Sequence, residues 1–359
     1  MTQRLILLFD GTWNDPQDQT NVYRLTRHIH DYDGAKRQRF FYDPGVGTAK
    51  WERLGGGMFG YGLSRNLLEG YEWLARRYSE GDEIWIFGFS RGAYTARSLV
   101  GLIRKCGLLH IVTPCLLKQA ESIYRDDSQA PDSETCSTFR QRFSRTPRIH
   151  FIGVWDTVGA LGVPGTLISE RGKFAWHDTA LSSIVDRAYH AVALDEHRAA
   201  YDVPLWTSDD GKPKPSNIEV EQRWFIGAHA NVGGGYGVDD YLADIPLQWM
   251  IGKAEQAGLK LEPFSAAEDA WKVEPKDSFQ AFLKGTYAWF KKWRSDEGDG
   301  RFIRQYNRDR TGRPAVNVSV DQSVWRRWQA ADLNYRPLTL TEAGLTAPED
   351  RLTDTGSQN

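Results

Sequence analysis

Four short apolar runs, each ending on a polar residue, constrain this chain more than any other feature. They are Leu5-Ile6-Leu7-Leu8-Phe9 before Asp10, Ile84-Trp85-Ile86-Phe87-Gly88-Phe89 before Ser90, Ile149-His150-Phe151-Ile152-Gly153-Val154-Trp155 before Asp156, and Trp224-Phe225-Ile226-Gly227-Ala228 before His229. Apolar runs this short, without strict alternation, suit strands buried on both faces. Between them lie helical patterns. Leu67, Tyr71, Leu74, Ala75 and Tyr78 recur at steps of three and four, as do Ala93, Ala96, Val100 and Ile103. Leu242, Ile245, Trp249 and Met250 predict a third helix, with Pro246 tolerable only in its first turn. Buried strands alternating with amphipathic helices predict an α/β fold: a mostly parallel central sheet with helices on both faces. Such sheets carry their sites beyond the carboxyl ends of the strands. Asp10, Ser90, Asp156 and His229 are therefore expected on one rim.

Composition narrows the classes of function. Hydrophobic residues at 40% and charged residues at 26% exclude a wholly disordered or fibrous chain. Lys plus Arg at 45 against Asp plus Glu at 47 gives a net charge of −2, so no global field draws in nucleic acid, and no nucleic-acid partner is expected. Three cysteines, Cys106, Cys115 and Cys136, fit neither a disulfide framework nor metal spacing. The first apolar run reaches a carboxylate too soon for a signal peptide, and no run approaches the ~20 residues of a membrane span. A cytoplasmic location is expected on that ground. The expected organisation is a catalytic core over 1–255 with an inserted helical segment at about 107–147. An aromatic-rich cap or extension of the same domain follows over 256–345, then a mobile tail over 346–359.

Gly88-Phe89-Ser90-Arg91-Gly92 is a G-x-S-x-G pattern at the junction of a strand-like run and a helix. In that context the serine sits on a sharp turn that lifts its hydroxyl above the sheet, at a helix N-terminus that favours negative charge. The bland alternative is a structural turn with a capping serine. Of the eight histidines, His229 is the expected general base, because it follows a strand-like run and enters the glycine-rich Val232-Gly233-Gly234-Gly235 loop. His150 reads as a core residue, His28 and His30 as solvated, and His190 and His197 as residues that support the site from behind. Asp156 is the expected orienter of the base, against the alternative of a helix-capping carboxylate. The order Ser90, Asp156, His229 is the one α/β-hydrolases use. An oxyanion hole is expected from the Arg91 amide and from that of Gly11 or Thr12. Asp10 is expected to order its loop. The Gly-rich segment 44–62 is expected to form an acyl pocket or lid, with Trp13, Trp51, Met58, Phe59 and Tyr61 as substrate-binding residues. Two other classes compete: a hydrolase scaffold used only for binding, and a metal-dependent phosphohydrolase using Asp10 and Asp156. No close His or Cys pair supports a metal, and no cofactor is expected.

Six segments stand in order: Phe9-Asp10-Gly11-Thr12-Trp13-Asn14, Asn21-Val22, Gly88 to Ala93, Val154 to Gly159, Ala193 to Arg198, and His229 to Tyr236. Together they resemble the α/β-hydrolase family catalogued as domain of unknown function 2235, which includes type VI secretion lipase effectors of the first family. The resemblance covers about residues 3–252 and extends more weakly to Ser323-Val324-Trp325-Arg326-Arg327. It implies that Ser90, Asp156 and His229 act as nucleophile, orienter and base. It implies an acyl-ester or phospholipid substrate, transient contact with a membrane surface, and export by a type VI secretion system as an alternative to cytoplasmic residence. One departure is that Ala230 and Asn231 follow the histidine, where effectors often carry a small residue and an acidic one.

Overall fold

The computed structural model describes residues 2–11, 18–45, 58–159, 179–237, 239–281 and 300–348. Its strands are β1 Gln3–Phe9, β2 Arg37–Asp43, β3 Glu83–Phe89, β4 Leu108–Leu109, β5 Ser144–Arg145, β6 Ile149–Trp155, β7 Val185–Ala193, β8 Glu219–Phe225 and β9 Val318–Val320. The helices up to residue 281 are α1 Asn21–Thr26, α2 Met58–Arg77, α3 Arg91–Cys106, α4 Pro114–Arg125, α5 Glu134–Phe143, α6 His229–Gly233, α7 Tyr241–Gln256 and α8 Ser278–Ala281. Seven strands form one sheet in the order β2-β1-β3-β6-β7-β8-β9. Every pairing in it is parallel.

The apolar runs build this sheet because both of its faces are covered. Along β1, Leu5, Leu7 and Phe9 enter one core with Ile84 and Ile86, under α2 and α3. Ile6 and Leu8 enter the other with Trp85, Phe87 and Phe89, under α1 and α7. Successive side chains point to opposite faces, so a strand covered on both sides must be apolar throughout. Aromatics crowd the second face: Trp85 stacks on Phe151 at 5.1 Å between ring centroids, and Phe151 meets Tyr189 at 5.0 Å. A third cluster joins Val192, Leu194, Trp224 and Ile226 to Val324 and Leu340 from the C-terminal region. Residues 107–147 carry α4 and α5, whose N-termini are capped by Thr113 and Ser133 through bonds to the Leu116 and Cys136 amides.

Three expectations change. The Gly-rich stretch 44–62 is not a loop throughout, since α2 begins at Met58. Pro246 lies in the second turn of α7, not the first. A proline there removes one intrahelical bond, and the same stretch of helix is tied from outside, where Asn21 Nδ2 donates to Ala243 O at 2.9 Å. His229 opens the short helix α6 instead of entering a flexible loop.

Candidate active site

Chain direction changes at Ser90. Its backbone sits at φ 58° and ψ −123°, between the end of β3 and the start of α3. A non-glycine residue at positive φ is strained and must be held by its surroundings. Here the Ser90 N–H donates to Trp155 O at 3.1 Å, and Ser90 O accepts from Tyr94 N at 3.2 Å and Val158 N at 3.3 Å. The flanking glycines are dictated by sterics. A Cβ on Gly92 would lie 2.1 Å from Phe9 O, and one on Gly88 would lie 2.6 Å from Gly92 O.

Three rim residues converge. His229 Nε2 is 2.9 Å from Ser90 Oγ, and His229 Nδ1 is 2.6 Å from Asp156 Oδ2. The imidazole packs against Phe89 at 4.7 Å and Tyr201 at 5.0 Å between centroids. The His229 backbone N–H donates to Glu196 Oε2 at 3.3 Å. Glu196 is itself buried, held in a two-pronged ion pair with Arg198 at 2.8 and 2.7 Å, and it accepts from Ser278 Oγ at 3.0 Å. Asp156, at φ 34°, accepts from the Ala193 amide through Oδ1 at 2.9 Å.

A residue that no sequence signal marks completes this array. Arg304, buried in the C-terminal region, donates through Nη1 to Asp156 Oδ1 at 2.6 Å and through Nη2 to Oδ2 at 3.0 Å. Burial by itself would push the Asp156 carboxyl up, but Arg304 and then His229 outweigh it and hold it below the ordinary carboxylate range. His229 is pulled below its ordinary value by burial, against the opposing pull of Asp156. The imidazole is thus neutral at pH 7, with Nδ1–H donating to Asp156 and Nε2 accepting from the Ser90 hydroxyl.

Asp10 is buried: Oδ2 accepts from Thr20 Oγ1 at 2.5 Å and from Tyr42 at 2.8 Å, and Oδ1 accepts from the Gly11 amide at 2.7 Å. That last bond commits the Gly11 N–H to Asp10, so of the two donors considered for this loop Thr12 is left, and Thr12 lies outside the described residues. The Arg91 amide opens α3, where first-turn N–H groups point out of the helix end. Trp13 and Trp51 also lie outside the described residues. Met58, Phe59 and Tyr61 fall in the first turns of α2. His190 lies behind Asp156 and does not touch Ser90: it is fully buried, takes the Thr157 N–H at Nε2 at 3.2 Å, and burial pushes it down to about 3. His197 holds Phe302 O at 3.1 Å, His150 sits part-buried on β6, and His28 and His30 contact Glu262. Among the described residues no group of three or more His, Cys, Asp or Glu side chains is placed to hold a metal ion. No described helix is long and apolar enough to cross a membrane.

A serine on a strained strand-to-helix turn, at the carboxyl edge of a parallel sheet with helices on both faces, defines an α/β-hydrolase fold. Within that class, residues 3–253 match the family described as type VI secretion system phospholipase effector Tle1-like, catalytic domain, and the chain belongs to it. An uncharacterised protein of Saccharomyces cerevisiae is 31% identical over 225 residues, covering 55% of this chain and 32% of its own length. Among solved structures, an uncharacterised protein from Pseudomonas aeruginosa is 18% identical with a TM-score of 0.46, over 83% of this chain and 56% of that one. The Tle1 effector bound to the VgrG spike of the type VI secretion system is 15% identical with a TM-score of 0.46, over 82% and 80%. The chain therefore spans about a third of the yeast relative and little more than half of the Pseudomonas protein.

Proposed function

We propose that this chain is a serine hydrolase that cleaves carboxylic esters of lipids or phospholipids through an acyl-enzyme. The observation that carries the reading is the hydrogen-bonded series from Ser90 Oγ through His229 to Asp156 on a strained turn. In this reading His229 Nε2 takes the Ser90 proton as Oγ attacks the ester carbonyl, and returns it to the leaving alcohol. Water then attacks the acyl-enzyme by the same route in reverse. Asp156 holds the imidazole tautomer and balances the imidazolium. The Arg91 amide and the Thr12 amide are the donors we assign to the developing oxyanion. Met58, Phe59 and Tyr61, with Trp13 and Trp51, are assigned to the acyl pocket. Membership of a phospholipase-effector family supports a lipid substrate, brief contact with a bilayer surface, and delivery by a type VI secretion machine. We read 256–345 as an extension of the catalytic domain, supported by β9 completing the sheet and Arg304 reaching Asp156.

The test is fluorophosphonate labelling read by mass spectrometry, beside hydrolysis of short-chain esters, long-chain esters and phospholipid vesicles. Labelling confined to Ser90, with turnover lowered by about 10³-fold or more in a folded Ser90→Ala variant, is expected. A folded protein that is never labelled would make the scaffold a binding module instead. Activity is further expected to fall as pH drops through the His229 titration, because the imidazolium cannot accept a proton. With that group pulled below its ordinary value, the acid limb should lie below pH 6.5. A flat profile from pH 8 to pH 4 would remove His229 as base.

A further inference from the structure

Asp156 is reached from two directions. His229 comes from the catalytic rim, and Arg304 from a part of the chain beyond the 3–253 family match. Both terminal nitrogens of the guanidinium are engaged where it stands, and Nε is left without a partner among the described residues. Its two prongs take both carboxylate oxygens, while Nη1 also donates to Ala193 O at 2.9 Å and Nη2 to Tyr201 O. The segment that delivers it is fastened on both sides. Phe302 N–H donates to His197 O at 3.0 Å, His197 Nδ1 bonds Phe302 O at 3.1 Å, and Trp224 Nε1 donates to Tyr306 O at 3.1 Å. A two-pronged arginine fixes the plane of a carboxylate in a way that a point cation does not.

We infer that Arg304 is a positioning residue of the Ser90 site: it fixes the Asp156 carboxylate plane that aims His229, and it balances the carboxylate charge in front of the imidazole. This rests on the serine-hydrolase reading above. The charged and titratable groups facing His229 are Asp156 at the end of β6, Glu196 and Arg198 after β7, Tyr201, and Arg304 behind Asp156. Glu196 and Arg198 neutralise one another. Removing the Arg304 charge therefore leaves one uncompensated carboxylate against the imidazole, which favours its protonated form.

The experiment uses the full chain as wild type, Arg304→Gln and Arg304→Lys. The His229 ring is titrated by NMR with labelled histidine, and Ser90 labelling by a fluorophosphonate is timed across pH. Arg304→Gln is expected to raise the His229 midpoint by about one pH unit and to slow labelling at its plateau about tenfold. Arg304→Lys keeps the charge and loses the fork, so its midpoint stays at the wild-type value while labelling slows. A folded Arg304→Gln protein with both the wild-type midpoint and the wild-type labelling rate would overturn the inference. If Arg304→Gln does not fold, Arg304→Lys decides: labelling at the wild-type rate would overturn it. Absence of labelling in the wild type would defeat the hydrolase reading, and the His229 midpoints would still decide whether Arg304 controls Asp156.

Discussion

Backbone at single residues sets this site. Ser90 holds a left-handed conformation that its side chain disfavours, and the cost is offset by backbone hydrogen bonds to Trp155 and from Tyr94 and Val158. Gly92 lets α3 start directly against the end of β1. Replacing it with alanine would drive a Cβ into the Phe9 and Asp10 carbonyls, the first of which ends β1. Gly92→Ala is expected to destabilise the fold by about 3 kcal/mol or more, measured by urea unfolding. A loss under about 0.5 kcal/mol, the scale of an ordinary surface change, would mean that the turn relaxes freely. The glycines of the G-x-S-x-G pattern were legible because no other residue fits the turn, whereas Arg304 was illegible. One arginine among many in a polar C-terminal stretch carries no local mark of its partner, which is 148 residues away.

Elements differ in how much of their own environment they encode. β1, β3 and β6 are covered on both faces, so their apolar runs announce them. β2 lies at the sheet edge, with Arg37, Arg39 and Phe40 exposed, and its sequence Arg37–Asp43 reads as polar. β9 has three residues and is a strand only because β8 offers it partners. The end of α2 shows the same dependence. Arg145, on the small strand β5, donates to Ala75 O at 2.8 Å, to Leu109 O at 3.0 Å and to Tyr78 O. It satisfies carbonyls that a helix C-terminus leaves open and places a cation at the negative end of the dipole. Arg145→Met is expected to cost about 2 kcal/mol in urea unfolding, with Ser90 labelling of the folded protein unchanged. A neutral result would show that water replaces the guanidinium at that end.

Acid response belongs to the whole molecule. His190, buried behind Asp156 and pushed down to about 3, stays neutral in the folded chain while the unfolded chain protonates it near 6.5. Its folded value is depressed, so stability falls as pH drops below 6.5 and the loss levels off near pH 3. His229 acts in the same direction. Asp43 and Asp240, each raised by burial to about 6, act oppositely as pH falls from 6 towards 3.8, because the folded state then binds the extra protons. Comparison with His190→Gln isolates the histidine. Between pH 6.5 and 4.5 the wild type is expected to lose about 2 kcal/mol more than the variant, read from urea midpoints. Parallel pH curves would mean that His190 is protonated inside the fold.

By itself the sequence determined that a parallel, doubly covered sheet would form, and that Ser90, Asp156 and His229 would stand on its rim. Periodicity and strand-end position are local properties, and each follows from whether neighbouring side chains must be apolar. Only the tertiary structure decided that Arg304 pairs with Asp156 and that Glu196 takes the His229 backbone amide. Those contacts join residues far apart in the chain, and a buried charge finds its counter-charge only once the sheet has brought the two together.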